Sequence, residues 1–201
     1  MDWNVGRLLN KLKELQLEEN TLVVFTSDNG GLSTAEGSNT VNGPFRAGKG
    51  WLYEGGIRVP FIMYWKGKFI PQNAIDIPVT IADLYPTLGT IMHQKYNKHA
   101  TIDGENILSL IYKKNSEREI YWHYPHYSNQ GGKPGAAIRK GKYKLIFNYE
   151  NQTTELYDLF ADLGETNNIA STFPAIANQL QTSLFNWLKK AKAVDLKVPH
   201  F

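Results

Sequence analysis

Asp28, Asn29 and Lys49 are the residues whose types and setting point most directly to chemistry. Asp28 and Asn29 close the run TLVVFTSDNGG, an apolar stretch ending in a carboxylate, an amide and two glycines. Carboxylate and amide oxygens are donors for a hard cation such as Ca²⁺ or Mg²⁺. In open α/β sheets, ligands bind beyond the carboxyl ends of the strands, and this pair falls at such an end. Neighbouring side chains in a regular strand point to opposite faces. Both can reach one ion only if the strand breaks, and Gly30-Gly31 permits the break. An ordinary strand-to-loop turn, with Asp and Asn capping nearby backbone, is the simpler account of the dipeptide taken alone. Two side chains also fall short of the roughly 6–8 oxygens that Ca²⁺ takes, and no other predicted strand ends in a comparable carboxylate cluster.

Lys49 stands between Gly48 and Gly50, close to Trp51 and Tyr53. The glycines would let backbone approach a ligand, and the ammonium would meet an anionic oxygen. A solvated loop lysine is the alternative. In EGGIRVP, Glu54 and Arg58 flank a glycine pair. Arg58 is suited either to buttressing the loop through a buried carboxylate or to a surface ion pair of little worth. His123 and His126 lie in YWHYPHY among aromatic side chains. That setting suits the wall of a sugar or aryl pocket, or two packed histidines.

Behind these residues stands an ordinary globular composition. Of 201 residues, 42% are hydrophobic and 20% charged, which argues against overall disorder. The length allows one sizeable domain, or a domain with a small appendage. The net charge is +3, too small an excess to suggest nucleic acid. The basic cluster Lys140–Lys144 alternates with apolar residues and reads as the polar face of a strand. Without cysteine, disulfides, a thiolate nucleophile and zinc–thiolate ligation are excluded within the chain. No apolar run approaches the roughly 20 residues that span a bilayer. The chain opens on an amphipathic helix rather than on a basic start and an apolar block. It is therefore expected to be the later part of something longer.

The elements that must position the site follow from periodicity. Val5, Leu8, Leu9, Leu12 and Leu15 recur at helical spacing, with Asp2 as expected N-cap and an end near Leu17. Leu22–Thr26 lacks polar alternation, which predicts a strand buried on both faces, as in a parallel sheet. Residues 32–50 predict a long ordered loop. Arg58–Trp65 predicts a second strand, placed at an edge or strand start by Pro60. A helix start is expected at Thr80–Asp83 and a short helix over Ile107–Tyr112. After a compositional shift at Lys113–Ser116, strands are expected at Ile120–Tyr124, Ala136–Arg139, Lys142–Asn148 and Thr154–Asp158. A hairpin centres on Lys140-Gly141, and a closing helix runs over Pro174–Lys192. The expected organisation is an α/β portion over residues 1–115 and an antiparallel sheet with a packed helix over 116–201.

Six segments, in this order, carry a resemblance: VGRLLNKLKELQLEENTLVVFTSDNGG, GKGWLYEGGIRVPFIMYWKGK, ADLYPTLGTI, IDGENIL, AIRKGKYKLI and ELYDLFADLGETNNIA. Together they resemble the C-terminal part of type I sulfatases, the arylsulfatase-like hydrolases, over nearly the whole chain. The resemblance implies the C-terminal portion of an alkaline-phosphatase-like mixed-sheet α/β domain, plus a small antiparallel subdomain with a packed C-terminal helix. It implies that Asp28 and Asn29 are two Ca²⁺ ligands and that Lys49 contacts the sulfate. It further implies that His123 lines the sugar or aryl pocket and that Arg58 supports the active-site loops.

The family's formylglycine arises from Cys or Ser in a C/S-x-P-x-R segment, which this sequence lacks. The remaining metal ligands belong to the family's N-terminal part. The expectation is thus a sulfuric ester hydrolase fragment for aryl sulfates or sulfated carbohydrates, unable to turn over sulfate esters alone. Self-association through the truncated sheet is expected, and a periplasmic, secreted or lysosomal residence is implied by the family. A phosphatase or phosphodiesterase of the same superfamily, and a non-catalytic sugar-binding or structural module, are the alternatives.

Overall fold

The computed structural model describes residues 1–34, 40–71, 75–94, 101–112 and 117–193. The compositional shift at Lys113–Ser116 and part of the loop expected over 32–50 lie outside the described residues. The chain forms two compact units: residues 1–69 with 119–201, and residues 70–118.

The first unit opens with helix α1 (Asp2–Glu14). Asp2 is its first helical residue, and the N-cap is Met1, so the expected Asp2 cap is not formed. Asp2 sits instead in the first turn, where a carboxylate favours the positive end of the helix dipole. Strand β1 (Val23–Thr26) pairs antiparallel with β2 (Phe61–Tyr64), in the register Val23–Tyr64 to Thr26–Phe61. Both the parallel setting and the two-sided burial expected for this run are corrected: all four β1 residues are half-buried. An unbroken apolar run specifies neither the partner nor its direction. The long segment 27–60 brings the chain back in the opposite sense, with Pro60 just ahead of β2.

A four-stranded antiparallel sheet follows, in the order β3 (Glu119–Tyr124), β4 (Gly135–Lys140), β5 (Tyr143–Asn148), β6 (Thr153–Asp158). Alternation gives it two apolar faces. On one, Ala136, Ile138, Leu145 and Leu156 pack against Ala177, Leu180 and Leu184. The last three belong to the closing helix, which starts at Pro174 with proline in the first turn and ends at Lys190. On the other face, Ala137, Ile146 and Tyr157 pack against Leu52 and Tyr53. The sheet thereby anchors the segment that bears Lys49. Within this segment lies the short helix α2 (Glu54–Ile57).

The second unit contains α3 (Leu84–Ile91) and α4 (Ile107–Tyr112), which makes the Pro174–Lys190 helix α5. A 3₁₀ turn over Ile81–Asp83 precedes α3 and carries a capping box between Thr80 and Asp83, matching the expected helix start. Asp83 is fully buried and meets Arg118 through two bonds of 2.8 and 2.9 Å. Its carboxylate also accepts the amides of Thr80 (2.6 Å) and Glu105 (2.8 Å). Burial acts to raise the Asp83 carboxyl, but Arg118 and the two amides outweigh it and hold it below the ordinary carboxylate range.

Candidate active-site wall

The turn after β1, the glycine-flanked lysine and helix α2 interlock through backbone. The Gly30 amide donates to the Gly56 carbonyl at 2.9 Å, and the Lys49 amide donates to the Gly31 carbonyl at 3.1 Å. Asn42 fastens the same knot. Its side-chain amide donates to the Gly31 (2.8 Å) and Ala47 (3.0 Å) carbonyls, and its side-chain oxygen accepts the Gly31 amide (3.1 Å). Such close backbone approach needs glycine. A Cβ at Gly30 would collide with the Gly55 carbonyl, and one at Gly48 with the Gly31 carbonyl and Ser33. Gly48 therefore serves close packing against the Gly31 turn.

The knot leaves the three candidate side chains without partners among the described residues. Asp28 is exposed and Asn29 half-buried, and neither side chain makes a hydrogen bond or ion pair there. Lys49 is exposed and makes no ion pair there. Ser27 caps the turn by donating to the Asn29 carbonyl at 2.9 Å. Two hard-oxygen side chains and an ammonium thus stand on one fastened stretch of backbone. Asp28 and Asn29 fit a Ca²⁺ ion in donor type and fall short of it in number. Among the described residues no group of three or more acidic, histidine or cysteine side chains completes a shell.

His123 lies on β3. It pairs across the sheet with Ala136 and lies edge-on to Tyr149, with ring centroids 5.8 Å apart. Ala136 belongs to the α5 face, so His123 shares that face, whereas Trp122 pairs with Ala137 on the face of Leu52 and Tyr53. Burial, with a smaller contribution from His126, lowers the His123 pKa and favours the neutral ring. His126 is exposed and lies edge-on to Tyr124.

The support beneath α2 was not legible as such in the sequence. Lys144 is fully buried, and its ammonium meets Glu54 at 3.0 Å and Glu165 at 2.8 Å. The Glu54 amide donates to the Glu165 carboxylate at 2.6 Å. The expected polar strand face at Lys140–Lys144 therefore contains a core lysine. Burial raises the Glu165 carboxyl against the opposing pull of Lys144. Arg58 lies 3.7 Å from the buried Glu54 carboxylate while remaining 40% exposed, and its guanidinium covers the Phe45 ring. It combines the two roles weighed from the sequence. Arg46 bonds the Glu165 carbonyl (2.8 Å) and the Tyr157 hydroxyl (3.1 Å) and lies over the Tyr53 ring. No sequence signal marks Asn42 or Glu165; the glycine pair after Glu54 was the one visible hint.

Residues 1–94 match the family model described as Sulfatase. A protein named "Sulfatase" from Formosa agariphila is 35% identical over 96% of this chain and 39% of its own length. An N-acetylgalactosamine-6-O-sulfatase from Bacteroides thetaiotaomicron is 30% identical over 92% of this chain and 39% of its own length. The crystal structure of Ps i-CgsB in complex with k-i-k-neocarrahexaose superposes with a TM-score of 0.81 at 28% identity, covering 92% of this chain and 40% of that one. The chain thus spans about two fifths of the length of these curated relatives. With sequence and fold agreeing along almost all of its length, the chain belongs to the sulfatase family.

Proposed function

We propose that this chain supplies one wall of a site that hydrolyses sulfate esters of carbohydrates. The observation that carries the reading is the shared, fastened backbone of Asp28, Asn29 and Lys49, which leaves two oxygen donors and one ammonium without partners among the described residues. Asp28 and Asn29 would hold part of a Ca²⁺ shell, with Mg²⁺ as the alternative hard cation. When bound, such an ion supplies a fixed positive charge for the sulfate oxygens. Lys49 presents an ammonium to the same anion. It favours the negative charge that builds on the sulfuryl oxygens as the ester bond breaks. The sequence contains no C/S-x-P-x-R segment, so its residues do not fit formylglycine. The sulfate wall is drawn from Asp28, Asn29 and Lys49; His123, edge-on to Tyr149 and half-buried, is kept as a candidate for the sugar or aryl pocket.

A carbohydrate substrate is favoured by relatives that match more than nine tenths of this chain and are known by sugar chemistry, among them the N-acetylgalactosamine-6-O-sulfatase and the neocarrahexaose complex. Calorimetry in the presence of Ca²⁺ tests the reading, comparing N-acetylgalactosamine 6-sulfate, its 6-phosphate and the unsubstituted sugar. Preferential binding of the sulfate ester, lost in Lys49→Ala, supports the proposal. Equal binding of the unsubstituted sugar points to a sugar-binding module instead.

A further inference from the structure

Lys144 and Glu54 are 90 positions apart and share a buried contact beneath the candidate wall. Lys144 enters from β5, in the middle of the sheet. Its two partners come from separate loops, Glu54 at the start of α2 and Glu165 beyond β6. Glu165 closes a ring by accepting the Glu54 amide with one oxygen and the Lys144 ammonium with the other. The second Glu54 oxygen is buried and accepts no hydrogen bond among the described residues. It is approached by Arg58 at 3.7 Å and Arg139 at 3.8 Å. From Glu54 the connection runs two residues to Gly56, whose carbonyl holds the Gly30 amide next to Asn29.

We propose that Lys144 is a positioning residue, which through Glu54 and α2 fixes the turn presenting Asp28 and Asn29 and the loop presenting Lys49. Simple stabilisation does not require this arrangement, because a buried ion pair is often no more stabilising than apolar side chains of similar volume. What such a pair supplies is a defined geometry. Two loops are held to one strand at a fixed point, directly below the backbone knot. The metal arm of this inference rests on the function proposed above; the arm concerning the loop does not.

The test compares Lys144→Met with Lys144→Arg and with Leu184→Ala. Leu184 lies in the α5 core on the opposite sheet face, so it serves as a control for general loss of stability. Amide exchange is read at Gly30 and Lys49, and binding of Tb³⁺, as a Ca²⁺ probe, is read by luminescence. Lys144→Met is expected to speed exchange at both amides at least tenfold and to weaken Tb³⁺ binding at least fivefold. Leu184→Ala should leave both readings unchanged under conditions where both variants remain folded. Lys144→Arg should recover part of the protection. Unchanged exchange at Gly30 and Lys49 in folded Lys144→Met overturns the proposal, as does an equal acceleration in Leu184→Ala. If the unsubstituted chain binds no Tb³⁺, the metal reading fails, and the exchange comparison alone supports or overturns the positioning role.

Discussion

Gly30 gives its amide hydrogen to the Gly56 carbonyl across 2.9 Å, joining the Asp28–Asn29 turn to helix α2. A side chain at position 30 would occupy the space of the Gly55 carbonyl. The candidate wall is therefore fastened mainly through backbone, with the Asn42 side chain as its clasp, and Asp28, Asn29 and Lys49 have no side-chain partners among the described residues.

Gly30→Ala should be more disruptive than its small volume suggests. The added methyl must displace Gly55 backbone rather than a flexible side chain, and overpacking of this kind costs about 1–3 kcal/mol. Urea unfolding should show a loss in that range with an unchanged slope. A loss below about 0.5 kcal/mol would mean that the two turns yield easily.

Lys144→Met and Glu165→Gln should separate in magnitude. Removing the lysine leaves two buried carboxylates facing each other, and breaking a buried pair costs about 3–5 kcal/mol. Glu165→Gln leaves Lys144 paired with Glu54, so an amide there should cost clearly less; burial raises the Glu165 carboxyl in the folded chain. Because its folded pKa is raised, its contribution to stability is greatest at low pH and falls as the pH rises through that value. The destabilisation by Glu165→Gln should accordingly change with pH, while that of Lys144→Met stays the larger at neutrality. Denaturant titrations at several pH values provide the comparison.

The local elements were largely legible from sequence, and the tertiary ones were not. The capping box at Thr80–Asp83, the β4–β5 hairpin, whose turn falls at Gly141-Lys142, one residue past the expected centre, and the helix beginning at Pro174 are written in neighbouring residues. The direction in which β1 pairs is not, because its partner lies beyond the long segment 27–60. Asp28, Asn29 and Lys49 could be picked out by type and glycine context. Lys144 could not, since alternation alone treats a lysine between apolar neighbours as solvent-facing. Glu54, 90 positions away, and Glu165, 21 positions away, make its burial tolerable. Asn42 was equally silent, an asparagine in a polar loop until its contacts with Gly31 and Ala47 are seen.

In the unit formed by residues 70–118, the Asp83–Arg118 pair should set an acid limit. The Asp83 carboxyl is held below its ordinary value, so its stabilising contribution is present above the unfolded-state pKa of about 3.9. It is lost as the pH falls through the lower folded value. Asp83→Asn should remove most of that acid dependence and cost about 3–5 kcal/mol at neutral pH. Amide exchange of Glu105, whose N–H bonds Asp83, provides the local readout. A Glu105 amide equally protected in the variant would contradict the assignment.

The chain should self-associate. Helix α1 buries none of its residues, and Trp3 and Leu8 are 71% and 69% exposed. The two-stranded β1–β2 sheet leaves Ile62 and Tyr64 57% and 44% exposed. Two-stranded sheets are marginal by themselves, and exposed apolar strand surface favours association. Sedimentation velocity should show mass rising with concentration, and Ile62→Lys with Leu8→Lys should shift the distribution toward monomer. A single monomeric boundary at high concentration would refute this.

The most direct test of the central claim is a Ca²⁺ titration followed by amide NMR on the unsubstituted chain and on Asp28→Ala. Two side-chain donors predict weak binding, on the order of millimolar or weaker, compared with complete Ca²⁺ sites. The account predicts saturable shifts centred on residues 28–31, extending through the Gly31–Lys49 bond to Lys49 and abolished in Asp28→Ala. Shifts that centre elsewhere, or that persist unchanged in Asp28→Ala, would contradict it.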